Sequence, residues 1–192
     1  MIYKPYGTTG KQCSVLGFGG MRFKEIDDRE ANVGMMVAAA EGGVNYFDTA
    51  PLYGFTLAEE RLGAALEGRR DQVVLATKCF GTMSDDVNDR GLSRKHIMES
   101  CEQSLRRLQT DYIDLYQCHV GTPESPEIFV EAFELLKKQG KIRFSGMSGH
   151  GGRLQECLEY ALDHELVDVV LVAHSFGSDP AFYEKYTKYF DI

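Results

Sequence analysis

The sequence predicts an α/β fold: repeated βα units around a parallel sheet, entered through a short hairpin. Three observations lead there. Six short apolar runs recur along the chain, and five longer segments of helical period separate them. Most of the runs are apolar at consecutive rather than alternate positions, as expected of parallel strands covered on both faces.

Taken in order, the hairpin turns around Gly7-Thr8-Thr9-Gly10, where closely spaced glycines permit a tight reversal. The expected strands are Val15–Phe18, Asn45–Asp48, Val73–Lys78, Tyr112–His119, Ile142–Ser148 and Val169–His174. Between them lie expected helices over Glu30–Glu41, Leu57–Leu66, Ser93–Leu108, Pro126–Gln139 and Leu154–His164. In the third of these, Ile97, Cys101, Ser104, Leu105 and Leu108 form one stripe, while Arg94, Lys95, Glu99, Glu102 and Arg106 are left to water. Ser93 is its expected cap. Gly42-Gly43, Gly68 and Gly140 follow three helices where a left-handed residue is wanted. No linker or shift in composition divides the chain, so residues 1–192 read as one domain. Six parallel strands fit a doubly wound open sheet or part of a closed barrel, and periodicity alone does not choose between them.

With 43% apolar and 26% charged residues, the chain has the composition of an ordinary globular protein. Its formal net charge of −8 repels polyanions at a distance, which disfavours nucleic acid as a partner and leaves room only for a local basic patch. Cys13, Cys79, Cys101, Cys118 and Cys157 are odd in number and lack metal-site spacing, so neither a disulfide framework nor a bound metal is expected. No leader pattern opens the chain, and no apolar run reaches the roughly 18–20 residues that span a bilayer. The expected location is the cytoplasm, with reduced thiols and no membrane contact.

Three apolar runs end in an ionisable residue: Asp48, Lys78 and His119. In a parallel barrel the carboxyl ends of all strands gather at one face, so these side chains would converge there. Tyr53, five residues beyond Asp48, can fold back over the same mouth. The four suit one task, protonating an oxyanion as it forms. A phenol titrates near about 10, and a neighbouring ammonium favours its phenolate; Lys78 would supply that charge. Asp48 would keep a partly buried lysine charged, and a neutral His119 could orient a carbonyl by donating to it. Taken singly, Asp48 and Lys78 read as a structural ion pair and His119 as a rim histidine. At successive strand ends, together, they read as a site.

The words around these residues are specific. Gly43-Val44-Asn45-Tyr46-Phe47-Asp48-Thr49-Ala50-Pro51-Leu52-Tyr53-Gly54, then Glu59-Glu60 and Leu62-Gly63, resembles the aldo-keto reductase signature. So do Val74-Leu75-Ala76-Thr77-Lys78, Ser104-Leu105-Arg106-Arg107-Leu108, Thr110-Asp111-Tyr112-Ile113-Asp114-Leu115-Tyr116, Gly140-Lys141-Ile142-Arg143-Phe144-Ser145-Gly146 and the opening Leu16-Gly17-Phe18-Gly19-Gly20-Met21-Arg22-Phe23. The resemblance covers Tyr3 to about His150, with a weaker likeness to about His174. It implies a (β/α)8 TIM-barrel type and an NAD(P)H-dependent oxidoreductase that reduces aldehyde or ketone carbonyls to alcohols. It also implies Tyr53 as general acid, Lys78 and Asp48 tuning it, and His119 positioning the carbonyl. NADPH or NADH would supply hydride, with Gly20, Met21 and Asp48 lining the nicotinamide ribose and Ser148 holding the carboxamide.

Two departures qualify the resemblance. Ser148 is followed by Gly149 and His150, where the family commonly has asparagine, and Ala173-His174-Ser175-Phe176-Gly177-Ser178 fits the pattern poorly. A (β/α)8 barrel usually takes about 250 residues, so the 192 residues hold about six of eight βα units. The resemblance puts the groups that grip the cofactor's phosphates in the last two. An unclosed sheet exposes two strand edges and invites self-association, and the aromatic tail Ala181–Phe190 is a candidate cover. The alternative reading is a non-catalytic barrel fragment or interaction module that keeps the site residues but cannot hold the cofactor.

Overall fold

The computed structural model describes residues 1–80, 93–119, 127–149, 154–172 and 184. The chain opens with an antiparallel hairpin, β1 (Tyr3–Pro5) and β2 (Gln12–Ser14). Six parallel strands follow: β3 (Phe18–Gly19), β4 (Tyr46–Asp48), β5 (Val74–Phe80), β6 (Ile113–His119), β7 (Ile142–Gly149) and β8 (Val169–Val172). They pair strictly in chain order, which is the connectivity of a singly wound barrel; a doubly wound sheet reverses its order at a switch point. The connecting helices are α1 (Arg29–Glu41), α2 (Leu57–Ala65), α3 (Arg94–Leu108), α4 (Glu127–Lys138) and α5 (Leu154–Asp163). The result is a curled arc of a (β/α)8-type barrel.

Local chemistry explains the boundaries. Asp28 caps α1 by accepting from Ala31 N at 3.0 Å, and Ser93 caps α3 by accepting from His96 N at 3.2 Å. Gly43, Gly68 and Gly140 take positive φ after α1, α2 and α4. The first barrel strand is shorter and later than Val15–Phe18: the Val15 N–H donates to Ile2 O at 3.0 Å, prolonging the hairpin, and Val15 and Leu16 are exposed. Asn45 then fastens that hairpin to the sheet. Its side chain accepts from Ser14 N at 2.7 Å and donates to Gln12 O at 2.8 Å. The end of the last expected strand, 173–174, and the tail 181–190 other than Glu184 lie outside the described residues, as does the loop 81–92.

The core lies between the sheet and the helices. Phe47, Leu75, Cys79, Tyr116, Cys118 and Met147 point outward from the strands and interlock with Met36, Leu62, Ile97, Cys101, Phe129, Phe133 and Leu158 from all five helices. Burial of each large side chain contributes about 1.5–3 kcal/mol. Gly63 lets α2 ride directly on the end of α3, since a Cβ there would sit 2.7 Å from Arg107 O. At the amino end of the sheet, the buried Asp114 carboxylate accepts from Leu75 N at 3.1 Å and pairs with Arg70 at 2.8 Å and Arg143 at 3.1 Å. Those two guanidiniums sandwich the Tyr112 ring at 3.9 and 4.0 Å. Among the described residues Cys13, Cys79, Cys101 and Cys118 are buried, no helix is long and apolar enough to cross a membrane, and no cluster of three metal-ligating side chains occurs.

Candidate active site

Alternation along the strands turns every second side chain away from the helices. The inward set on β4, β5, β6 and β7 includes Asp48, Lys78, Gln117, His119, Gly146 and Ser148, all near the carboxyl ends. Lys78 and Gln117 are register partners, and so are His119 and Ser148. These polar groups are therefore neighbours because the strands pair in order.

The centre of the group is an ion pair. Lys78 Nζ donates to Asp48 Oδ1 at 2.5 Å and to Thr49 O at 2.9 Å, with the lysine side chain only 2% exposed. Gln117 Nε2 donates to the other carboxylate oxygen, Oδ2, at 3.0 Å. Burial pushes the Asp48 carboxyl above its ordinary value, against the opposing pull of the Lys78 charge and hydrogen bond and of Gln117. Desolvation thus outweighs the partners. Tyr53 leaves the strand end through a turn in which its N–H donates to Ala50 O at 3.1 Å. Its ring centroid lies 5.0 Å from Lys78 Nζ. Tyr46, two residues before Asp48 on the same face, is a different phenol: burial first, then the neighbouring Tyr6 phenol and Asp48 carboxylate, drive it far above its usual value, so it does not release a proton readily.

His119 sits one row further along β6, its ring against Phe80 at 4.8 Å. Its Nδ1 and Ser148 Oγ are 3.1 Å apart, so the serine expected to hold a carboxamide engages the histidine here. On the other flank Gly20 N donates to Asp48 O at 2.7 Å, which draws the 20–21 backbone against the end of β4. A Cβ on Gly20 would come within 3.2 Å of both Asp48 O and Thr49 Oγ1. Met21 is exposed at the rim.

Gln117 was not among the residues singled out from sequence. Its signal is parity: it is a polar residue two positions before His119 in the same strand, hence on the same face. Gly146 gives it room, because a Cβ there would fall 2.9 Å from Gln117 Cγ. A second unforeseen group lies behind the site, where Glu59 on α2 accepts from Thr77 Oγ1 at 2.7 Å and from Arg107 Nε at 2.6 Å. Thr77 precedes Lys78 and faces the helices, so this buried pair braces the strand that carries the lysine.

A barrel arc whose carboxyl-end rim gathers a carboxylate, an ammonium, a phenol and an imidazole defines the class of βα-barrel proteins with a strand-end site. The family model "Aldo/keto reductase family" matches residues 15–178, and the chain belongs to that family. It is 36% identical over 184 residues to the uncharacterized oxidoreductase YqkF of Bacillus subtilis (strain 168), a match covering 94% of this chain and 58% of that protein. It superposes on the aldo-keto reductase AKR11C1 from Bacillus halodurans, solved in its holo form, with a TM-score of 0.83 at 34% identity, covering 98% of this chain and 63% of that one. An aldo/keto reductase from Klebsiella pneumoniae, solved in complex with NADP and acetate, gives 0.77 at 29% identity over 93% of this chain and 62% of that one. The chain thus spans little more than half the length of YqkF.

Proposed function

We propose that this chain carries the catalytic half of an NAD(P)H-dependent reductase that converts aldehyde or ketone carbonyls to alcohols, with Tyr53 as the proton donor. The observation that carries the reading is the Lys78 ammonium, held at 2.5 Å by Asp48 and lying 5.0 Å from the Tyr53 ring. A fixed positive charge beside the phenol stabilises negative charge as its proton leaves. The Asp48 carboxylate and Thr49 O keep that ammonium charged and aimed although it is buried. Gln117 fixes the carboxylate from its other side. His119 faces the same mouth, and its hydrogen bond with Ser148 sets the ring orientation from which it would contact a substrate carbonyl.

Gly20, Met21, Asp48 and Ser148 are the residues that would hold the nicotinamide end of the cofactor. Their fit rests on the close approach of the Gly20 backbone to Asp48 and on the buried Thr49 Oγ1, a hydroxyl without a hydrogen-bond partner beside it. NADPH or NADH, when bound, supplies the hydride to carbonyl carbon; Tyr53 delivers the proton to carbonyl oxygen, and the alcohol results.

The test is a titration of the purified chain with NADPH, followed by nicotinamide fluorescence, and a carbonyl-reduction assay on the chain and its Tyr53→Phe and Lys78→Met variants. The expected result is saturable binding with turnover that falls at least a hundredfold in both variants. Saturable binding with equal turnover in Tyr53→Phe would remove the proton-donor role. No binding at all would favour the interaction-module reading for this chain.

A further inference from the structure

The outer helices carry a second polar cluster, lined by none of the strand-end site residues. Arg29 in the first turn of α1, Arg61 on α2, and Arg106 and Arg107 in the last turn of α3 line one groove of about 340 Å³, together with Glu60 and Gln109. Four arginines and one glutamate line it, in a chain whose net charge is −8. The volume falls at the lower end of small-ligand sites, about 300–1,000 Å³.

Their pairing is uneven. Arg107 is engaged by Glu59 at 2.6 Å and by Ser104 Oγ at 3.3 Å. Arg61, its side chain only 12% exposed, approaches Glu60 no closer than 3.9 Å, and its buried Nε has no hydrogen-bond partner. The side chains of Arg29 and Arg106 make no ion pair or hydrogen bond with a described residue. Helix electrostatics account for part of this arrangement only. Arg106 and Arg107 stand at the end of α3, where the dipole favours cations, but Arg29 stands at the start of α1, where it disfavours them. The remaining wall is Gln109, which ends α3 with φ +53 where α1, α2 and α4 use glycine; only Glu165, after α5, does the same. A side chain is retained at the left-handed position, and the residue lines the groove.

We propose that this groove between α1, α2 and α3 binds a ligand bearing two or more adjacent phosphoryl groups. Planar guanidiniums recognise phosphoryl oxygens through paired N–H donors. The three that lack a close acidic partner, Arg29, Arg61 and Arg106, come from three different helices, and one monovalent anion would leave most of that charge uncompensated. A chain of phosphoryl groups carries enough charge to balance all three. The phosphates of the nicotinamide cofactor are a separate matter, since no residue of the groove lies at a strand end.

The test is calorimetric titration of the full chain with inorganic tripolyphosphate at low ionic strength, repeated with Arg29→Gln and Arg106→Gln. Both side chains are exposed, so the fold tolerates the change. Arg94→Gln, also an exposed α3 arginine, is the control. Saturable one-site binding is expected, weakened at least tenfold by either groove substitution and unchanged by the control. Adenosine triphosphate in a parallel arm identifies the source: equal affinity marks the phosphoryl chain alone as the recognised part, tighter binding a nucleotide. Absence of saturation overturns the proposal, and so does an affinity untouched by Arg29→Gln and Arg106→Gln, which would place the bound phosphate elsewhere, the strand-end rim included.

Discussion

Replacing Glu59 by alanine should cost this chain a large part of its stability although the residue touches no ligand. Its carboxylate has no exposed surface and holds Thr77 Oγ1 at 2.7 Å and Arg107 Nε at 2.6 Å. Removing it leaves a guanidinium only 17% exposed and a buried hydroxyl without their acceptor. Breaking a buried pair from one side costs about 3–5 kcal/mol, against a total of about 5–15 kcal/mol for a typical domain. With a urea slope of about 1–3 kcal/mol/M, the midpoint should fall by roughly 1–5 M. Arg94 and Glu131 provide the internal control. They are almost as close, at 2.8 Å, but 60% and 66% exposed, so Arg94→Ala should cost about 0–1 kcal/mol. Distance cannot separate the two pairs; burial can. The double variant Glu59→Met with Arg107→Met should recover much of the loss, because apolar replacement of both partners removes the unpaired charge. Equal midpoint shifts for Glu59→Ala and Arg94→Ala would refute the reasoning.

Gly146→Ala places a methyl 2.9 Å from both Gln117 Cγ and Leu115 Cδ1 and should destabilise by about 1–3 kcal/mol in urea melts while loosening Gln117 from Asp48. Ser93→Ala removes the α3 cap and should cost about 1 kcal/mol by the same measurement. Asp168 offers a pH-dependent case. Burial opposes its ionisation, but Lys137 and the Ser145 N–H and hydroxyl prevail and hold its carboxyl below the ordinary 3.8. A depressed folded value contributes stability that is present above 3.8 and lost as pH falls through the lowered value. Asp168→Asn should therefore cost about 1–2 kcal/mol at neutral pH, a modest figure because the side chain is 39% exposed, and the gap should close in acid. A gap that widens on acidification contradicts the assignment.

Much of the scaffold was legible because it is written in local terms. Ser93 as a cap, the Ile97-Cys101-Leu105-Leu108 stripe and the glycines after three helices each depend on residues within a few positions, and each lies where the pattern put it. The first barrel strand was misplaced because a run of apolar residues cannot say which partner it will join. Val15 had a competing acceptor in Ile2 O, and the hairpin took it. Polar placement told more than periodicity. Asp48 and Lys78 are separated by thirty positions and meet at 2.5 Å because both lie near the carboxyl ends of neighbouring strands. Gln117 and Glu59 were harder to read, since their importance lies in what they hold, and only the paired strands reveal that Gln117 is opposite Lys78 and Glu59 behind Thr77.

The two unforeseen residues change how the rim is understood. Lys78 is fixed from one side of β5 by Asp48, itself fixed by Gln117, while Thr77 is fixed from the other side by the Glu59–Arg107 pair. One short strand segment is thus clamped through both of its faces. A lysine side chain carries about 2 kcal/mol of rotamer entropy, and a charge that must stand beside a phenol acts well only if that freedom is already lost before substrate arrives. A variant that loosens only the outer clamp, such as Glu59→Gln, should then leave the Asp48–Lys78 pair intact and yet lower turnover more than cofactor affinity. If both fall together, the clamp serves the fold and not the position of the ammonium.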